Sequence, residues 1–116
     1  MDGHVRTFAD QPDPALGETC PVETAMDLLT GKWRMLVLYR LRKGPVRFNA
    51  LQRSLAPVTQ KVLTATLRSL GEDGLIWRDV RAEVPPHVTY GLTPFAEGAA
   101  PVFDAMAEWI IRGNRA

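Results

Sequence analysis

Gln60, Lys61, Thr64 and Arg68 are the residues of this chain whose types and spacing point to chemistry. At i, i+1, i+4 and i+8 they fall on one face of a helix. Gln can bond adenine bidentately, Arg can do the same to guanine, Thr can touch a thymine methyl, and Lys neutralises phosphate. Such a face would both read and hold a duplex. The opposite stripe is apolar: Leu63, Leu67 and Leu70 recur at i, i+4 and i+7 and must face a core. Thr59, just after Pro57 and Val58, is placed as the N-cap, its hydroxyl able to accept from a free backbone N–H, and stands with Gln60, Lys61, Thr64 and Arg68 among the DNA-binding candidates. Taken alone, the polar face is equally that of any solvated amphipathic helix, so the surrounding elements decide.

A two-stranded ribbon comes directly after the helix. Glu72, Asp73 and Gly74 stop the helix, and residues 75–81 alternate as a strand, with Leu75 and Trp77 on one side and Ile76, Arg78 and Val80 on the other. Pro85 and Pro86 forbid ladder pairing and mark a turn. Val88, Tyr90 and Leu92 then resume the period of two, so the hairpin tip presents Arg81, Glu83 and His87. A tip of this kind can lie along a phosphate backbone or enter a minor groove, and Arg81 and His87 are the wing candidates. An ordinary edge hairpin would carry the same pattern without that role.

The charge distribution supports a polyanion partner. The net charge is only +1, but from residue 32 to residue 81 eleven Lys and Arg face three acidic residues, a net of +8, and both flanks are acidic. Lys32, Arg34, Arg47 and Arg53 are the candidates for phosphate contact, with double-stranded DNA as the partner.

The other elements fit around this centre. The 116 residues suit one modest core, at 46% hydrophobic and 23% charged. Residues 1–19, with Asp2, Asp10, Asp13, Pro12 and Pro14, are expected to form a flexible arm, and residues 20–112 the folded domain. Cys20 is expected at the N-cap of a first helix that starts at Pro21 and runs to about Thr30. A second helix, 32–43, should bury Trp33, Leu36, Val37 and Leu41 and end at Gly44-Pro45. A short third helix carries Phe48, Leu51 and Leu55, and Ala56-Pro57-Val58 turns into the helix described first. The chain closes with a long helix, 95–112, bearing Ala99, Val102, Phe103, Met106, Trp109 and Ile110 on one stripe. That stripe exceeds what a small core can cover, so Val102, Phe103, Met106, Trp109 and Ile110 are the candidate homodimer interface; a tail folded on its own core is the alternative. A two-fold dimer would read inverted half-sites roughly 34 Å apart.

Other chemistry is poorly supplied. One cysteine excludes an intrachain disulfide, and Cys20, His4 and His87 form neither a catalytic set nor a metal cluster, so no enzyme, metal or cofactor is expected. Gly71-Glu72-Asp73-Gly74 is too short and acidic for a phosphate loop. No apolar run approaches ~18 residues and Met-Asp-Gly-His is no signal sequence, so a cytoplasmic protein without a membrane partner is expected.

Cys20-Pro21-Val22-Glu23, Gly31-Lys32-Trp33 and Gly44-Pro45-Val46-Arg47-Phe48-Asn49-Ala50-Leu51 resemble the HxlR-type winged-helix transcriptional regulators, relatives of the MarR group. Gln60-Lys61-Val62-Leu63-Thr64, Leu67-Arg68-Ser69-Leu70, Asp73-Gly74-Leu75 and the 83–90 block come in the same order. The resemblance implies a mainly α fold with a small β-hairpin wing. It also implies a homodimer paired through terminal helices, a recognition helix in the major groove and a wing on the backbone or minor groove. It implies no operator sequence. A repressor of a pseudo-palindromic operator is the expectation.

The resemblance also suggests Cys20 as a control point for oxidants or electrophiles, and a thiol at a helix N-terminus has its reactive thiolate favoured. With no second cysteine, the response would run through an intersubunit disulfide, a mixed disulfide with a low-molecular-weight thiol, or an electrophile adduct. A small buried, inert cysteine in a ligand-responsive regulator is the alternative, as is a winged helix that binds proteins and not DNA. Thr30, Gly71 and His87 depart from the family pattern. Gly71 points to a shortened recognition helix, and His87 to a wing whose grip strengthens on protonation.

Overall fold

In the computed structural model, which describes residues 20–114, the chain divides between Thr30 and Gly31 into two compact units. The arm expected over residues 1–19 lies outside the described residues. The first unit contributes α1 (Pro21–Leu29), with Pro21 at the first helical position and Cys20 in extended N-cap geometry. The Cys20 carbonyl accepts from Thr24 N at 3.0 Å, but its thiol caps nothing.

The second unit holds α2 (Lys32–Leu41), β1 (Val46–Arg47), α3 (Phe48–Ser54), α4 (Gln60–Glu72), β2 (Ile76–Arg81), β3 (His87–Leu92), α5 (Pro94–Glu97) and α6 (Ala100–Gly113). Its core is nearly all aliphatic. It gathers Val37, Leu38 and Leu41 of α2, Leu51 of α3 and Leu55 just after it, and Leu63, Leu67 and Leu70 of α4. Ile76, Tyr90 and Leu92 from the sheet, Ala96 of α5 and Phe103 of α6 complete it. Each fully buried Leu contributes about 2 kcal/mol by removing apolar surface from water.

The helix α4 forms as its pattern requires. Thr59 Oγ1 accepts from Val62 N at 3.1 Å, and the predicted leucine stripe is buried. Gly71 does not shorten the helix, which runs on to Glu72. Its end is a left-handed cap at Gly74, φ +73°, with Gly74 N donating to Gly71 O and Leu75 N to Leu70 O at 3.0 Å. Leu75 is therefore the apolar anchor of the cap rather than a strand residue, and the alternation expected from it changes sense. Ile76, paired with Leu92, faces the core, while Trp77, paired with Gly91, lies outside on the sheet. A Cβ at Gly91 would run into the Trp77 ring.

Three further expectations are corrected. The wing is part of a three-stranded antiparallel sheet ordered β1-β3-β2, with Val46 opposite Tyr90 and Arg47 opposite Thr89. The second helix stops at Leu41, and it buries Leu38 fully while Trp33 and Leu36 remain half-buried. The long terminal helix is broken into α5 and α6. Thr93 caps α5, with Oγ1 accepting from Ala96 N, and Pro101 has no N–H to bond the Glu97 carbonyl, so a continuous helix cannot cross residues 98–99.

Candidate nucleic-acid interface

The face of α4 opposite the leucine stripe presents Gln60, Lys61, Thr64, Ala65 and Arg68 to solvent as one surface. Thr59 stands at its head, its hydroxyl engaged as the cap. Among the described residues Lys61 and Arg68 enter no ion pair, and residues 59–71 contain no acid, so the positive charge of this face is unopposed, with the helix N-terminus adding to it at Gln60 and Lys61. Hydrogen-bonding groups of both kinds, with a cation at each end of the run, suit base edges and phosphates together.

The wing is more internally matched. Arg81 Nε donates to Asp79 Oδ2 at 3.2 Å, and His87 Nε2 lies 3.5 Å from Glu83 Oε2. Arg78, which its place in the strand pattern did not mark as functional, is exposed and in no ion pair with the described residues. The short strand β1 supplies what the hairpin lacks. By pairing with β3 it brings Arg47 beside the wing, and Arg47, Asn49, Arg53, Pro85, Pro86 and His87 line a common groove of about 430 Å³. Neither arginine has an ionic partner among the described residues. Asn49, also missed in the sequence, belongs to a second surface hollow with Gln52 and Arg53. Its signal is the polar face of α3, too short to show a period.

The remaining phosphate candidates are placed differently. Lys32 sits at the start of α2 with Nζ 4.9 Å from the centroid of the Trp33 ring. Arg34 turns inward: Nη1 donates to Ser69 Oγ at 2.5 Å and Nη2 to Asp73 Oδ2 at 2.8 Å. It is joined to the end of α4 and is not displayed beside it.

Of the five residues read as a dimer surface, Phe103 is 5% exposed and meets Tyr39 edge-on at 6.3 Å, so it belongs to the protomer's core. Val102, Met106, Trp109 and Ile110 are exposed, Trp109 at 71%, and Ile111 is exposed on a different side of α6. In α1, Val22 and Met26 are also exposed, one helical turn apart. Cys20 is half-buried. Among the described residues no cluster of His, Cys, Asp and Glu could hold a metal, and no helix is long and apolar enough to cross a membrane.

Comparison with known proteins places this geometry. Residues 28–115 match the family described as HxlR-like helix-turn-helix. The chain is similar to the HTH-type transcriptional regulator YdeP of Bacillus subtilis, 45% identical over 92 residues that span 79% of this chain and 72% of that protein. Among solved structures it resembles a transcriptional regulator of the MarR family from Porphyromonas gingivalis, with a TM-score of 0.80 and 33% identity over 84% of this chain and 96% of the other. It also resembles the redox regulator HypR in its reduced form, with a TM-score of 0.74 and 40% identity over 82% and 93% of the two chains. The fold is accordingly the winged helix of these regulators, and the chain belongs to the HxlR-like helix-turn-helix family, whose members here are transcriptional regulators and not enzymes.

Proposed function

We propose that this transcriptional regulator works in the cytoplasm as a homodimeric repressor of a pseudo-palindromic operator in double-stranded DNA. Its α4 enters the major groove, Gln60, Thr64 and Arg68 read bases, and Lys61 holds phosphate. Arg47, Arg53 and the wing residues Arg81 and His87 track the backbone, with Lys32 as a further contact. The observation that carries this reading is the α4 face, exposed, free of acids and seated on a buried leucine stripe. Dimerisation is supported by the unburied apolar patch of α6, Val102, Met106, Trp109 and Ile110.

The signal in this reading is covalent modification of Cys20 by an oxidant, a small electrophile or a low-molecular-weight thiol. Support comes from its position at the N-terminus of α1 and from the likeness to HypR, described as a redox regulator in oxidised and reduced forms. The test is binding of the purified protein to the DNA upstream of its own gene at two salt concentrations, with and without diamide. Tight, sequence-dependent binding that weakens with salt and is changed by diamide in wild type but not in Cys20→Ser is the expected result. Binding no better than to random DNA contradicts the regulator; an unchanged diamide response in Cys20→Ser contradicts the role of the thiol.

A further inference from the structure

We propose that Arg34 is a positioning residue for DNA reading: it sets the rotation of α4 by gripping Ser69 and Asp73. The inference rests on α4 being the reading helix, and it removes Arg34 from the phosphate contacts. Ser69 and Asp73 lie one helical turn apart, on the same side of α4. The two terminal nitrogens of a single guanidinium bond them, Nη1 to Ser69 Oγ at 2.5 Å and Nη2 to Asp73 Oδ2 at 2.8 Å. The Arg34 side chain is only 15% exposed. Its stem lies against Gly31, whose φ is +109° and whose Cβ, if present, would sit 3.5 Å from Arg34 Cδ.

The leucine stripe holds α4 onto the core but does so without direction, because apolar burial depends on area and tolerates small rotations. A planar fork with two fixed donors is directional, and here it spans a full turn of the helix. It also answers an electrostatic fault. Glu72 and Asp73 stand at the C-terminal end of α4, where the macrodipole disfavours negative charge, and α4 has no basic residue in its last turn. Arg34 supplies the missing cation from α2. Arg68 and Thr64 project from the same rigid cylinder, so an error in rotation at Ser69 is carried to the groove.

The experiment compares Arg34→Gln, Asp73→Asn and Asp73→Glu with wild type. Affinity is measured across a salt series for a duplex selected by the wild-type protein from a random pool, and for a random duplex. A positioning role predicts that Arg34→Gln and Asp73→Asn each lower affinity for the selected duplex about tenfold, leave random-duplex affinity and the salt slope unchanged, and that Asp73→Glu retains most of the preference. A phosphate contact predicts otherwise: Asp73→Asn would free the guanidinium and strengthen binding to every duplex, and Arg34→Gln would weaken binding to every duplex alike and cut the salt slope by about one. Either of those results overturns the inference. A wild-type protein with no preference for any duplex overturns the regulator reading, and the inference with it. Circular dichroism at the assay temperature distinguishes a failure to fold from either outcome.

Discussion

Gly91 illustrates how much depends on single residues in a unit this small. The Trp77 indole lies over it across the β2–β3 pair, in space that any side chain would claim. Gly91→Ala is expected to destabilise the fold by about 1–3 kcal/mol through overpacking, seen as a lower urea midpoint. A midpoint unchanged from wild type would mean that the indole has somewhere else to go. Thr59→Ala removes a cap whose hydroxyl accepts from Val62 N, and about 1 kcal/mol is expected to go with it in the same measurement. That cap was legible in the sequence, since a threonine before an apolar period has few other uses. The role of Arg34 was not legible. Its partners stand 35 and 39 residues away, and composition alone made it one more cation in a basic segment.

At the scale of elements, legibility tracks length. The helix α4 has enough turns for its leucine stripe to declare both its core face and its open face, and the two agree with the fold. Strand β1 has two residues, too few for alternation, yet it turns a hairpin into a sheet and carries Arg47 to the wing. The break between α5 and α6 was signalled by Gly98 and Pro101 but concealed by an apolar stripe that continues across them in sequence. It leaves α6 tied to the winged helix through its first turn: Phe103 against Tyr39, and Asp104 accepting from Arg42 Nε at 3.1 Å. Arg42 also lies over the Tyr39 ring, 3.9 Å from its centroid. The site makes its own prediction at this scale. Replacing Arg47 and Arg53 together with alanine should reduce the salt slope of DNA binding by about two while leaving sequence preference intact. A loss of preference with no change in slope would place both arginines on bases, not phosphates.

For the molecule as a whole, a net charge of +1 conceals a basic centre between acidic flanks, and the fold displays that centre on α4 and in the groove between α3 and the wing. In the proposed dimer a second copy covers the exposed apolar patch of α6. Ile110→Asp with Trp109→Ala should shift sedimentation from dimer to monomer and weaken operator binding about a hundredfold, because the second half-site no longer arrives with the first. An undiminished dimer would send the search for the interface elsewhere. Sequence reading by α4 is probed without intermediaries by a binding competition with the variant carrying Gln60→Ala, Lys61→Ala, Thr64→Ala and Arg68→Ala. Affinities for a duplex selected by wild type and for a random duplex are measured side by side. The variant is expected to fold and dimerise but to bind the two duplexes equally and weakly. If it still prefers the selected duplex as strongly as wild type does, α4 is not the element that reads the sequence.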